Sequence, residues 1–470
     1  MKRRHFLKLT ATSIAAATTT SISALLGSPQ ALAATNDYKA LVCVFLYGGM
    51  DCHDTVIPYD NENYNRWAQI RSAMLNQYAT PRSQANLSPI STPSRFGSRQ
   101  FALPPEMSGL HNLYQTGKAA IVGNLGPLLE PVTAAQIRNE TAKLPARLFS
   151  HNDQQSTWMS GHTEGAQYGW AGQTQDALIN AGISQRNIFS AISMSSGELL
   201  ITGQQTTPYH LIGGKAQQPV LLQSGISGAP NPNQVYLGTD AVSVAGLPEN
   251  LSNYFFTQDQ YANLLQADFA TLQHNALQAN VLFNQAVDVR KVTAAFPNHR
   301  LGNQLKRVFA TINARDTLVA NRQVFVVSLG GFDTHSEQPQ TLPALQSMLD
   351  TGISAFYTAL EDAGLSEQVT LFTASDFGRT LAFNGDGTDH GWGGHHFVVG
   401  GAVKGATIYG DIPVSEFDHA QDIGGGRLVP TSAIDQYAAD FATWMGLNDT
   451  QILQLFPNLT NFNGRLGFMR

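Results

Sequence analysis

The sequence predicts an α/β fold, with one mostly parallel sheet and helices on both faces. Three observations carry this. The runs Tyr38–Tyr47 (YKALVCVFLY), Val324–Leu329 (VFVVSL) and Val369–Ala374 (VTLFTA) are almost wholly apolar, the mark of strands buried on both faces. Helical periodicity fills Leu342–Leu365, between the second and third runs. The result is a strand–helix–strand unit, for which a parallel pair with a right-handed crossover is expected. Each run also ends in polar turn chemistry: Gly48-Gly49-Met50-Asp51, Gly330-Gly331-Phe332-Asp333 and Ser375-Asp376-Phe377-Gly378-Arg379.

Taken in order, the chain opens with Arg3-Arg4 ahead of Phe6-Leu7-Lys8, then a small-residue and apolar run that closes on Ala31-Leu32-Ala33. That is a basic n-region, an h-region and an A-x-A cleavage site. The order resembles a twin-arginine export signal. Residues 1–33 are therefore expected to be removed, leaving residues 34–470 as a single α/β domain in the periplasm or outside the cell. The Thr- and Ser-rich h-region is poorly apolar for a membrane span, and no other run is long enough to be one. The twin-arginine route exports folded proteins, which suits a chain that takes up a metal or a partner before crossing.

Beyond the first strand, Asn61–Leu75 reads as a helix and residues 76–104, polar and proline-punctuated, as loop. Met107–Gln115 reads as a helix and Ala119–Leu125 as a short strand. A helix starts near Gln154–Ser160, with Ser150 or Asn152 placed to cap it. Gly169–Asn180 is helical and Ile188–Met194 a strand. Residues 195–255, rich in Gly, Gln, Pro and Asn, predict an irregular insertion. Asp259–Val289 and Leu301–Leu318 carry apolar residues at helical spacing. A helix over residues 430–446 and the segment Ile452–Phe456 close the core.

Composition narrows the function. The expected signal holds four basic residues and no acids, so the mature chain has 24 Lys and Arg against 34 Asp and Glu, a net charge near −10. No basic surface for nucleic acid remains. Charged residues make up 13% of the chain, below the usual ~25%; Asn, Gln, Ser and Thr take their place, as suits an exported protein. The two cysteines, Cys43 and Cys52, lie in and just past one strand. Nine extended residues span ~30 Å, too far for a bridge, so no structural disulfide is expected. The absence of a G-x-G-x-x-G after the first strand and of any cysteine cluster argues against an oxidoreductase.

The chemistry concentrates in Val369–Tyr409. There a buried strand leads to Asp376 and Arg379, and a glycine-rich loop then carries Asp389, His390, His395 and His396. In a parallel sheet all strand C-termini share one edge, so Asp51, Asp333 and Asp376 are expected to converge although they are far apart in sequence. His53, His335 and His390 follow close behind them. Carboxylates and imidazoles on one rim suit Zn²⁺, or Mn²⁺ or Mg²⁺ if carboxylates dominate, with Ca²⁺ a further alternative. Arg379 is placed to clamp an anion's oxygens or to pair with an acid.

With these residues in hand, the chain resembles the domain-of-unknown-function 1501 family, twin-arginine-exported bacterial proteins related to the alkaline phosphatase and sulfatase superfamily. The resemblance rests on Phe45–Asp51, Ser150-His151, Gly330–His335, Ser375–Thr380, Gly387–Gly401 and Gln436–Phe456. It implies a three-layer, alkaline phosphatase-like α/β/α sandwich with two metal sites bridging a nucleophile. Asp51 then matches a metal ligand at the end of the first strand, and Ser150 the nucleophile at a helix start. Asp333 and His335 match the ligand pair of one metal site, Asp376 the Asp of an Asp-His-Gly motif, and His390 a late His ligand. Two departures stand out: Asp333-Thr334-His335 is shorter than the usual Asp-x-x-x-His, and Phe377 replaces the His after Asp376. His395, His396 or His53 is expected to supply the missing ligand.

The reading that follows is an exported metal-dependent hydrolase of phosphate or sulfate esters. Ser150 attacks, Arg379 orients the anionic ester, and Asp51, Asp333, His335, Asp376, His390 and His395 are the candidate metal ligands. The alternative is a degenerate, non-catalytic member that binds a protein partner or a glycan.

Overall fold

The computed structural model describes residues 37–216, 264–290 and 292–470. The signal segment, most of the expected insertion (residues 217–255) and the start of the expected helix Asp259–Val289 lie outside them.

Strand Lys39–Tyr47 is the centre of the sheet and shows why the fold forms. Ala40, Val42, Val44 and Leu46 enter one core, while Leu41, Cys43 and Phe45 enter another. Side chains alternate across a strand, so a continuous apolar run feeds two cores at once. On the first face lie helices Ser108–Gln115, Arg300–Asn313 and Gln338–Asp362, with Leu110, Leu305 and Leu349 packed inward. On the second lie His151–Ser160, Trp170–Asn180 and Ile434–Met445, with Trp158, Leu178 and Phe441 inward. The architecture is three-layer α/β/α.

Across the sheet the strand order is Ile408–Gly410, Ala119–Gly126, Gly394–Val399, Val369–Ser375, Lys39–Tyr47, Arg322–Gly330, Ala191–Ser193, Tyr209–Ile212 and Lys215–Ala216, with Ser432–Ala433 also on Ala119–Gly126. Most pairings are parallel. Gly394–Val399 runs antiparallel to both neighbours, and Lys215–Ala216 antiparallel to Tyr209–Ile212.

Three expectations need correction. Arg322–Gly330 and Val369–Ser375 are parallel but do not pair, because Lys39–Tyr47 lies between them. Residues 76–104 are not all loop: Ser88–Ile90 and Phe101–Leu103 join Ile57–Pro58 in a three-stranded antiparallel sheet. The start of the expected insertion is ordered too, since Tyr209–Ile212 and Lys215–Ala216 extend the main sheet. Both cysteines are buried and unpaired. Among the described residues no helix is long and apolar enough to cross a membrane.

For the site, register matters most. Tyr47 pairs with Gly330 and Leu46 with Ser375, so three neighbouring parallel strands end level and their loops emerge side by side. Gly48, at φ +114°, shows how tightly these loops fit: a Cβ there would lie 2.2 Å from the Asp333 backbone nitrogen. Only glycine meets both demands.

Candidate metal centre

After strand Arg322–Gly330 the chain turns at Gly331 and presents Asp333 and His335 at the rim. After Val369–Ser375 it passes Asp376 and forms an antiparallel hairpin, Arg379–Phe383 with Thr388–His390, in which Arg379 pairs with His390. That hairpin folds back over the Asp333 loop, and a Cβ on Gly387 would sit 2.2 Å from the His335 backbone. His390 is thereby laid against Asp333.

Three ligand atoms meet there. His335 Nε2 and His390 Nε2 are 2.9 Å apart. The Asp333 Oδ1 oxygen is 3.1 Å from the first and 3.3 Å from the second. Each imidazole turns its other nitrogen to an oxygen. His390 Nδ1 donates to the Phe149 carbonyl at 2.9 Å, and His335 Nδ1 lies 3.4 Å from Asp389 Oδ1. An imidazole that donates from Nδ1 presents a lone pair at Nε2. The His390 lone pair, His335 Nε2 and a carboxylate oxygen crowded within 3.3 Å call for a proton or a metal ion among them. Atoms about 2.1 Å from one ion stand roughly 3.0 Å apart at octahedral angles and 3.4 Å at tetrahedral ones, so the observed separations fit a cation.

A residue not singled out from the sequence completes the cluster. His151, the first residue of its helix, reaches the same rim: its Nδ1 donates to Asp376 Oδ2 at 2.6 Å and its Nε2 faces Asp333 Oδ2 at 3.5 Å. His151, Asp333 and His390 place ligand atoms within 4.8 Å of one another, a wider set than the one with His335. The His151 ring lies 4.9 Å from that of Phe377 and 4.5 Å from that of His390. Asp376 is fully buried. Its Oδ2 also accepts from Gln155 Nε2 at 2.9 Å, while its Oδ1 has no hydrogen-bond partner. A buried carboxylate oxygen left in that state is costly, and a charged group at the rim would offset the cost.

The electrostatics agree. Partial burial would raise the Asp333 carboxyl, but Arg379 and the nearby imidazoles hold it below the usual carboxylate range. The Asp376 hydrogen bond pushes the His151 imidazole up, while burial pushes His390 down.

The other predicted residues lie elsewhere or are engaged. Asp51 is buried among other partners: Arg71 holds both its oxygens, at 2.6 and 3.1 Å, and Gln338 Nε2 and the His53 backbone N–H donate to it at 2.6 and 3.0 Å. Burial would raise its pKa, and Arg71 overrides that and lowers it. The structure thus joins Asp51 to an arginine rather than to the imidazole cluster. His395 is also a correction. It belongs to strand Gly394–Val399 rather than to a loop, is buried, and its Nδ1 accepts from the Asn124 backbone N–H at 2.9 Å. His396 packs its ring 4.8 Å from that of Trp158, and His53 Nε2 sits 3.2 Å from the Gly426 carbonyl. Neither joins the cluster, so His151 stands beside Phe377 where a further histidine was sought.

Arg379 is fully buried and donates to Asp333 Oδ1 at 2.7 Å, to the Gly48 carbonyl at 3.0 Å, and to Thr388 through both its hydroxyl and its carbonyl. These partners leave its fork committed to fixing Asp333. Ser150 lies at the helix start, but its Oγ donates to Asp153 Oδ2 at 2.9 Å, so its hydroxyl is turned to an acid of its own helix.

A family described as Protein of unknown function (DUF1501) matches residues 38–454. No curated protein matches the chain. Among solved structures the chain is similar to the C-terminal periplasmic domain of EcEptC from Escherichia coli in complex with Zn, at 9% identity over 88% of this chain and 84% of that one, TM-score 0.34. It is also similar to the PsFucS1 sulfatase from Pseudoalteromonas sp., at 9% identity over 95% and 74%, TM-score 0.37. Overlaps this loose say nothing about the chemistry of the rim.

Proposed function

The chain belongs to the DUF1501 family, whose description names no activity, and on that premise we propose from the site that it is an exported, metal-dependent hydrolase of phosphate or sulfate esters. The observation that carries the reading is the meeting of Asp333 Oδ1, His335 Nε2 and His390 Nε2 within 3.3 Å of one another. Three protein ligands with an open side are the usual form of a catalytic rather than a structural metal site. Two imidazoles and one carboxylate suit Zn²⁺ or Mn²⁺ better than Mg²⁺ or Ca²⁺, which prefer all-oxygen shells.

A divalent ion there would supply Lewis-acid charge to the non-bridging oxygens of a bound ester. Asp333 is the one carboxylate among the three ligands and is itself paired with Arg379, so an anionic oxygen would be a favourable further ligand to a divalent ion there; Asp376 and Asp389 behind the imidazoles temper that charge. The protein's part is to keep the ligands in place. Arg379 ties Asp333 to Gly48 and Thr388, the Phe149 carbonyl orients His390, and Asp389 Oδ1 lies 3.4 Å from His335 Nδ1. Such outer contacts set the tautomer and direction of each ligand. Export through the twin-arginine route belongs to the same reading.

The binding alternative draws on Asp51, which is paired with Arg71 and so not free for a second metal. Metal analysis of the purified protein after Zn²⁺ or Mn²⁺ supplementation, with aryl phosphates and aryl sulfates as substrates, decides between them. The hydrolase reading expects bound metal and turnover that both vanish in Asp333→Ala. Bound metal without turnover on either panel favours the binder.

A further inference from the structure

We propose that His151 Nε2, not the Ser150 hydroxyl, is the nucleophile that attacks the ester, an assignment that rests on the hydrolase reading above.

Four features of the site lead there. His151 Nδ1 donates to the buried Asp376 Oδ2 at 2.6 Å, which fixes the tautomer of the neutral imidazole with its lone pair on Nε2. A nucleophilic or basic side chain oriented by a third group is the general form of an activated residue. That nitrogen lies at the rim, 3.5 Å from Asp333 Oδ2, within reach of an ester that an ion on Asp333, His335 and His390 would hold. The ring packs against those of Phe377 and His390, which also pack against each other at 4.5 Å. Meanwhile the competing hydroxyl is spent: Ser150 Oγ donates to Asp153, and Asp153 also receives the Glu164 backbone N–H and Arg147. Asp376 is a positioning residue here, acting through His151 alone.

The step balances without a further reagent. The Nε2 lone pair forms a P–N bond as the ester P–O bond breaks, and the alcohol leaves with that electron pair and takes a proton from solvent. Water then attacks phosphorus, the P–N pair returns to Nε2, and phosphate is released. A phosphoryl group on imidazole nitrogen is labile in acid and stable in base, the reverse of one on a serine oxygen.

The test uses the metal-supplemented full-length mature protein and p-nitrophenyl phosphate, quenched in alkali during turnover and mapped by peptide mass spectrometry. The assignment expects a base-stable, acid-labile phosphoryl group on the peptide containing His151. It expects that group to persist in Ser150→Ala. In His151→Ala it expects loss of the group and a fall in turnover of about a thousandfold or more, with metal content unchanged. An adduct on Ser150, turnover with no adduct on His151, or loss of metal in His151→Ala (which would make it a ligand) overturns the assignment and leaves the hydrolase reading standing. A wild-type protein with neither metal nor turnover overturns both.

Discussion

Asp51 and Asp333 follow the same Gly-Gly-x-Asp turn, yet their surroundings give them different work. Asp51 and Arg71 are both fully buried and paired. Removing one charge of such a pair costs about 3–5 kcal/mol, because the other is left uncompensated. Asp51→Asn is therefore expected to lower the urea midpoint of unfolding sharply while metal content per folded molecule stays at the wild-type value; loss of metal from folded Asp51→Asn would make Asp51 a ligand. Sequence alone could not separate the two aspartates, because what distinguishes them is Arg71, on a different element. His151 escaped notice for a related reason. A helix start near Ser150 or Asn152 is legible from the sequence, and Ser150 proves to be the cap residue without a side-chain cap bond, but which of the first residues turns toward the rim depends on Asp376, more than two hundred residues later. Asp333, His335 and His390 were legible because strand ends and the loops after them collect on one edge of a parallel sheet.

At the scale of elements, the three central strands were plain in the sequence because unbroken apolar runs have few other uses. Short or proline-bearing strands such as Ser88–Ile90 were not, since three residues give no periodicity to read. The glycine-rich sequence after Arg379 reads as an open loop that carries His395 and His396, whereas residues 379–390 form a hairpin and both histidines lie in a buried strand. Gly394–Val399 begins earlier than its apolar run does, because its first three residues are Gly, His and His. The hairpin nonetheless carries the site. A methyl group at Gly387 would collide with the His335 backbone, so Gly387→Ala is expected to lift the hairpin and weaken metal affinity by about tenfold or more, with little change in circular dichroism. Isothermal titration with Zn²⁺ reads this directly, and an unchanged affinity would mean that the hairpin does not set the position of His390.

Across the whole molecule, buried titratable groups set the pH dependence of folding. Burial pushes His53 down to about 3, His395 to about 4 and His396 to about 3. The unfolded chain binds protons at these residues below the ordinary imidazole pKa of about 6.5, while the native state refuses them until pH falls to about 3–4, so stability is lost as pH falls through that window. Asp435 and Asp440 act in the opposite sense. Burial raises both to about 6, so the native state takes up their protons first and gains stability as pH falls from about 6 to about 4. The histidine shifts are the larger of the two sets, so the histidines carry the net dependence and stability falls below neutral pH. Urea unfolding is expected to show lower stability at pH 5 than at pH 7, and His396→Phe to shrink the difference; greater stability at pH 5 would mean that the acids dominate. Above these effects stands the claim on which the function depends: one rim of the sheet, built from segments remote in sequence, holds a single metal ion. X-ray absorption spectroscopy at the metal edge of the Zn²⁺-supplemented protein tests it most directly. The expected result is about one equivalent of zinc with imidazole scattering and a carboxylate oxygen in the first shell, lost in Asp333→Ala and His390→Ala. Metal below a tenth of an equivalent, or a first shell without imidazole, would contradict it.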